Sequence, residues 1–177
     1  MKYTINCKYR YVMIDKKLVK RIFEDDGYVK LSGMEIVEIT ADYAKVRADI
    51  RKEHCNAKGC VQGGMLYTLA DFAFAVLSNY LHPMTVTQCG HINYIRAAVT
   101  KSVTAVAKET IRSGHNTVSE VIIYDDKEEV CCVCNFNGFV KDVTEQELKE
   151  KTQLINSRSK PIEWFTEEFA KVYRKRH

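Results

Sequence analysis

The amino-acid order predicts an α+β fold in which an antiparallel sheet wraps around one central helix, at about residues 64–81. Three observations lead there. The run from Met65 to Leu81 is apolar nearly all round, through Leu66, Leu69, Phe72, Ala73, Val76 and Leu77, and such a helix is enclosed by other elements. Two strand-like segments precede it and four follow with short breaks. Turn-forming residues, among them Ala41-Asp42, Ser113-Gly114 and Asp125-Asp126-Lys127, separate the strands.

In chain order, residues 1–12 alternate weakly and read as an extra strand or a loose leader, and Met13 would also serve as a start. From Asp15 the pattern is helical, with Leu18, Ile22 and Phe23 on one face and Gly27 beyond the end, a helix that covers an edge of the core. Leu31–Thr40 is apolar at Met34, Ile36, Val37 and Ile39. Tyr43–Ile50 sets Val46, Ala48 and Ile50 against Lys45, Arg47 and Asp49. Pro83 follows the central helix. The four later strands are Thr85–Ile95, Ser102–Ile111, Asn116–Tyr124 and Val130–Val140.

Thr144-x-x-Glu147 is a capping box opening a polar helix that fades near Asn156. After Lys160-Pro161, residues Ile162, Phe165, Phe169, Val172 and Tyr173 form one helical face before the basic Arg174–His177 end. Packing of that face on the sheet or on a second subunit outweighs a membrane or nucleotide contact. The chain thus divides into a leader and helix (1–30), a sheet-and-helix domain (31–141) and a helical extension (142–177). It shows no repeats.

A chain of 177 residues, 46% hydrophobic and 28% charged, can bury a full core as one domain. Its net charge of +4 suits an anionic ligand but is too small to argue for nucleic acid. The first residues lack a secretory leader's apolar region, and the longest apolar run contains an acid and falls short of the roughly 20 residues of a membrane span. Seven scattered cysteines fit a reducing cytoplasm. His54-Cys55-x4-Cys60 is no standard zinc spacing, and Cys131 and Cys134 on a strand point to opposite faces, so no metal site is expected.

Chemistry concentrates between His54 and Asp71. Gly63-Gly64 feeds the central helix, so unpaired N–H groups and a positive dipole end await a negative oxygen. Asp71, seven residues on, is costly in that apolar helix unless something uses or satisfies it. Together they suggest acyl-transfer or hydrolytic chemistry, with Asp71 as nucleophile or general base. The bland alternatives are an acid bonded only to Thr68 or Tyr67, glycines kept for turn geometry, Asn56 as a turn former and Gln62 in a structural role.

Asn56, Gly59, Gly63, Gly64 and Asp71 match the pattern Asn-x-x-Gly-x-x-His-Gly-Gly followed by an acid. The stretch resembles the hotdog-fold acyl-CoA thioesterases of the phenylacetyl-CoA thioesterase type, with Gln62 standing where that pattern has histidine. The resemblance runs through Asn93–Ala98 and Arg112–Thr117 and covers roughly residues 30–140. It implies an acyl-CoA thioester hydrolase with a hotdog fold and no cofactor, coenzyme A being part of the substrate. The Gly63 N–H becomes the oxyanion donor, Asn56 and Thr87 orient water or substrate, and Gln62 donates toward the carbonyl. Lys58, Arg96, Arg112 and His115, with His54 and Gly64, are its candidates for substrate contacts, a solvated face being the alternative reading of the first four.

No Ser-His-Asp set is needed, because a thiol with a pKa of roughly 8.5 leaves as thiolate near neutrality. A non-catalytic acyl-CoA-binding protein is the alternative. A dehydratase fits less well, because those hotdog enzymes pair a histidine with an acid and Gln62 is not one. Gly63 and Asp71 lie roughly 12 Å apart along one helix, whereas both must approach one carbonyl within about 3–3.5 Å. The expectation is therefore a homodimer with shared sites, in the family's arrangement, with dimer or tetramer left open.

Overall fold

The structure is a computed structural model that describes residues 14–157. Residues 1–12 and the aromatic face from Ile162 to Tyr173 with its basic end lie outside the described residues.

Helix α1 (Lys16–Phe23) starts at Asp15, whose carboxylate accepts from the Lys17 N–H at 2.8 Å. It buries Leu18 and Val19 and sets Phe23 edge-on to Phe72 at 5.5 Å. Gly27 does more than end this helix. Asp26 accepts from the N–H groups of Tyr28 and Val29, and these bonds open a second short helix, α2 (Gly27–Leu31).

Strands β1 (Met34–Ile39) and β2 (Ala44–Asp49) form a hairpin. A 3-10 turn at Lys52–His54 then leads into the central helix α3 (Gly63–Leu81). Strands β3 (Thr85–Tyr94), β4 (Ser102–Ser113), β5 (Asn116–Tyr124) and β6 (Val130–Val140) complete one six-stranded sheet. Its order is β1-β2-β4-β5-β6-β3, antiparallel throughout. The predicted α+β layout, a sheet wrapped around one helix, is the observed one.

Alternation decides what faces α3. Ala44, Val46 and Ala48 of β2, Val103, Ala105 and Ala107 of β4, and Val121 and Ile123 of β5 are buried. Cys132, Cys134 and Phe136 share the inward face of β6, where burial pushes both thiols up to about 12. Cys131, also buried, lies against the Arg96 guanidinium. Phe136 stacks on Phe74 of the helix at 5.5 Å and meets the ring of Tyr67 at the same distance. Gly90 of β3 lies where a Cβ would overlap both Phe136 and the Tyr67 hydroxyl. Bulges at Val37, Gln88 and Thr110 interrupt β1, β3 and β4.

At the far end of α3, His82 is buried with its Nε2 2.6 Å from Glu109, and the Thr117 hydroxyl donates to the same carboxylate. Burial pushes the Glu109 carboxyl up, but these hydrogen bonds and the Arg112 charge outweigh it and hold it below its usual value.

A separate compact unit begins at Thr144. In it α4 (Glu145–Asn156) opens on the predicted capping box, the Thr144 hydroxyl accepting from the Glu147 N–H while the Glu147 carboxylate accepts from the Thr144 N–H.

Candidate active site

Gln62 caps α3. Its side-chain oxygen accepts from the Met65 N–H at 3.1 Å and its own N–H donates to the His54 carbonyl at 2.8 Å. With Met65 satisfied, the N–H groups of Gly63 and Gly64 are left without a partner among the described residues. They border an open cleft of about 520 Å³. Asn56, Cys60, Gln62, Leu66, Tyr94 and Arg96 contribute to its lining. Two unpaired N–H groups at a helix start, beside a cleft, can receive a negative oxygen.

The loop before α3 is held by Asn56. Its Oδ1 accepts from the Lys58 N–H at 2.9 Å, and its Nδ2 lies 3.1 Å from the Cys60 sulfur. Gly59 takes φ +79°, which favours glycine. His54 is buried behind this loop with its Nε2 3.2 Å from the Arg51 guanidinium. Burial and the Arg51 charge push its pKa down, so it is a neutral strut in the turn and does not line the cleft.

Asp71 lies two turns along α3, half-buried, and accepts from the Thr87 hydroxyl at 2.9 Å. Thr68 is no partner for it, since that hydroxyl donates to the Gly64 carbonyl. Burial pushes the Asp71 carboxyl up, the Thr87 bond opposes this, and the Asp26 charge adds a further push. An acid so raised and held by one hydroxyl is suited to accept a proton or attack a carbonyl.

The structure brings Asp71 to Thr87, and Gln62, Gly63, Gly64, Asn56 and Arg96 to the cleft, but the cleft lining does not include Asp71. Arg96 pairs with Asp125 at 2.7 Å and Glu129 at 3.2 Å, and its guanidinium holds the Asp125 carboxyl at about 2. Lys58 is exposed on the loop. Arg112 and His115 flank the β4–β5 turn, at the opposite end of the sheet from Gly63. There Arg112 donates to the Asn116 carbonyl and His115 stacks on Phe139 at 5.1 Å. One protomer thus separates them from the cleft.

Sequence reasoning missed Tyr94. Its hydroxyl donates to the Gly63 carbonyl at 3.0 Å across 31 residues of chain. The residue lay inside Asn93–Ala98, but nothing local signals a contact made by packing the end of β3 on the start of α3.

No family model matches the chain. A protein of Archaeoglobus fulgidus named "Putative esterase" is 32% identical over 108 residues, which are 58% of this chain and 70% of the relative. Among solved structures, the PaaI protein of the E. coli phenylacetic acid degradation operon superposes with a TM-score of 0.68 at 21% identity, covering 72% of this chain and 94% of that one. A Haemophilus influenzae thioesterase gives 0.68 at 17% identity, covering 76% and 96%. These two share the fold, and the esterase relative shares the sequence over most of its length. The chain belongs with that putative esterase to one family, and its fold is the hotdog fold.

Proposed function

We propose that this protein hydrolyses acyl-CoA thioesters to the free acid and coenzyme A, as a homodimer whose two sites are each built from both subunits. The observation that carries the reading is the division of one helix. The unpaired N–H groups of Gly63 and Gly64 open onto the cleft, while Asp71 lies roughly 12 Å further along α3. A single chain cannot apply both to one carbonyl, which needs groups within about 3–3.5 Å.

The sheet offers an unprotected edge for a second copy. Strand β3 runs ten residues, Thr85–Tyr94, with no aspartate, glutamate, lysine or arginine. The other edge, β1, is six residues long and carries Glu35 and Glu38, features that block strand pairing. Two copies joined antiparallel along β3 set their α3 helices side by side in opposite directions. That brings Asp71 of one toward Gly63 of the other.

In that site the Asp71 carboxylate attacks the thioester carbonyl or takes a proton from the water that does. The carbonyl oxygen becomes negative against the Gly63 and Gly64 N–H groups, and the coenzyme A thiolate leaves as the carbonyl reforms, giving the acid directly in the water route or, in the nucleophile route, a mixed anhydride on Asp71 that a water then hydrolyses. Asn56 and Gln62 shape the donor end, Thr87 orients Asp71, and Arg96 in the cleft lining, with Lys58 exposed on the loop before α3, suits the phosphates.

Turnover of an acyl-CoA panel, followed by thiol release, separates a hydrolase from a binder. Mixing inactive Asp71→Asn with Gly63→Pro, which deletes a donor, should restore one working site in each mixed dimer. No turnover of any acyl-CoA sinks the hydrolase reading. No recovery in verified mixed dimers sinks the shared site.

A further inference from the structure

We infer that Tyr94 is a positioning residue for this site: its hydroxyl fixes the Gly63–Gly64 peptide, and with it the aim of the N–H groups that receive the oxyanion. The inference rests on the thioesterase reading and goes one residue beyond it. Tyr94 closes β3, paired with Cys132 of β6, and donates its O–H to the Gly63 carbonyl at 3.0 Å. Its ring lies so close to the helix start that a Cβ at position 63 would meet ring and hydroxyl atoms at 3.0–3.2 Å. Glycine is what lets the ring reach the turn.

Two simpler explanations fall short. Core filling does not account for the residue, because Tyr94 is 54% exposed. Satisfying an orphan carbonyl does not either, because the first carbonyl of a helix already accepts from the N–H four residues on. The phenol's bond is additional. What it adds is orientation. Two consecutive glycines give the chain unusual rotational freedom at the point where the N–H groups must be aimed. Holding the Gly63 carbonyl fixes the plane of the peptide whose other end is the Gly64 N–H. The hold comes from β3, the strand proposed to meet the second subunit, so one hydrogen bond joins the dimer edge to the oxyanion donors.

The test is Tyr94→Phe, which keeps the ring and removes the hydroxyl, with Tyr94→Leu as a second variant that removes both. For Tyr94→Phe, kcat should fall about 10- to 100-fold, the scale of a misplaced catalytic group, while KM for acyl-CoA changes less than about twofold. Tyr94→Leu should lose more. In parallel, ¹⁵N relaxation should show lower order parameters at the Gly63 and Gly64 amides of Tyr94→Phe and no change at Val76 and Leu77. Unchanged kcat against an active wild type overturns the inference, as do unchanged order parameters at the two glycines. A rise in KM alone overturns it too, since that marks substrate contact. A wild type that turns over no acyl-CoA fails the thioesterase reading instead, and the order parameters then decide by themselves whether the phenol holds the helix start.

Discussion

Replacing Gly90 by alanine tests how α3 and the edge strand are held together. The added Cβ would overlap the Phe136 ring and the Tyr67 hydroxyl. The Tyr67 end can rotate, but Phe136 is fully buried and stacked on Phe74 with an interplanar angle of 16°. The ring has nowhere to go, so β3 must move outward. Overpacking of this kind costs about 1–3 kcal/mol. For a chain of this size that lowers Tm by about 2–4 °C per kcal/mol. Thr87 and Tyr94 ride on the same strand, so turnover should fall with stability. Gly27→Ala is the control, since nothing lies within 4 Å of a Cβ there, and it should be neutral or stabilising by up to about 1 kcal/mol. The assay is urea unfolding by circular dichroism at one protein concentration, for Gly90→Ala, Phe136→Leu and the double variant. Relief of the overlap predicts that Gly90→Ala costs less in the Phe136→Leu background, by about 0.5–3 kcal/mol. An equal cost in both backgrounds, or a Gly90→Ala protein as stable as wild type, refutes the packing account.

Asp71, raised by burial, favours the folded state when protonated, and that contribution is lost as pH rises through its folded pKa. Asp71→Asn should therefore unfold at pH 7 at an equal or higher urea midpoint while turnover drops at least about 100-fold. Thr87→Val deletes the bond that opposes the raised value, so the acid limb of kcat/KM should move to higher pH, whereas Thr87→Ser should leave it in place. Glu109 has the opposite sign. Held below its usual value, it contributes stability that is present above the unfolded carboxylate pKa and lost as pH falls through the folded one. Urea midpoints from pH 7 to pH 3 should show a shallower acid decline for Glu109→Gln than for wild type.

Much of the fold was legible because it rests on local periodicity. Alternation in Ala44–Asp49 and Ser102–Ser113, and the unbroken apolarity of α3, state which faces are buried without reference to distant residues. What escaped depends on cap chemistry or distance. Helix α2 was hidden because Gly27 reads as a stop, whereas Asp26 just before it, accepting two hydrogen bonds, makes it a start. The Gln88 bulge leaves no mark on alternation, yet it separates the part of β3 carrying Thr87 from the part carrying Tyr94. The candidate acid and glycines stand out by their spacing, whereas Thr87 entered only through the resemblance and Tyr94 not at all, because the Thr87 bond to Asp71 and the Tyr94 bond to Gly63 cross 16 and 31 residues of chain.

The thiols of β6 give the protein a built-in clock. A disulfide reagent is attacked by the thiolate, which displaces the reagent's other sulfur. Cys132 and Cys134, at about 12, hold almost none at neutral pH, and the buried Cys131 is also raised. Cys89 is exposed and Cys55 and Cys60 are partly so, and these label at once. Among the described residues such a reagent will thus read a fast background from the accessible thiols before Cys131, Cys132 and Cys134 respond. Any later signal from β6 marks the moments when the strand parts from α3. In mild urea its rate measures how often the sheet parts from its helix without unfolding.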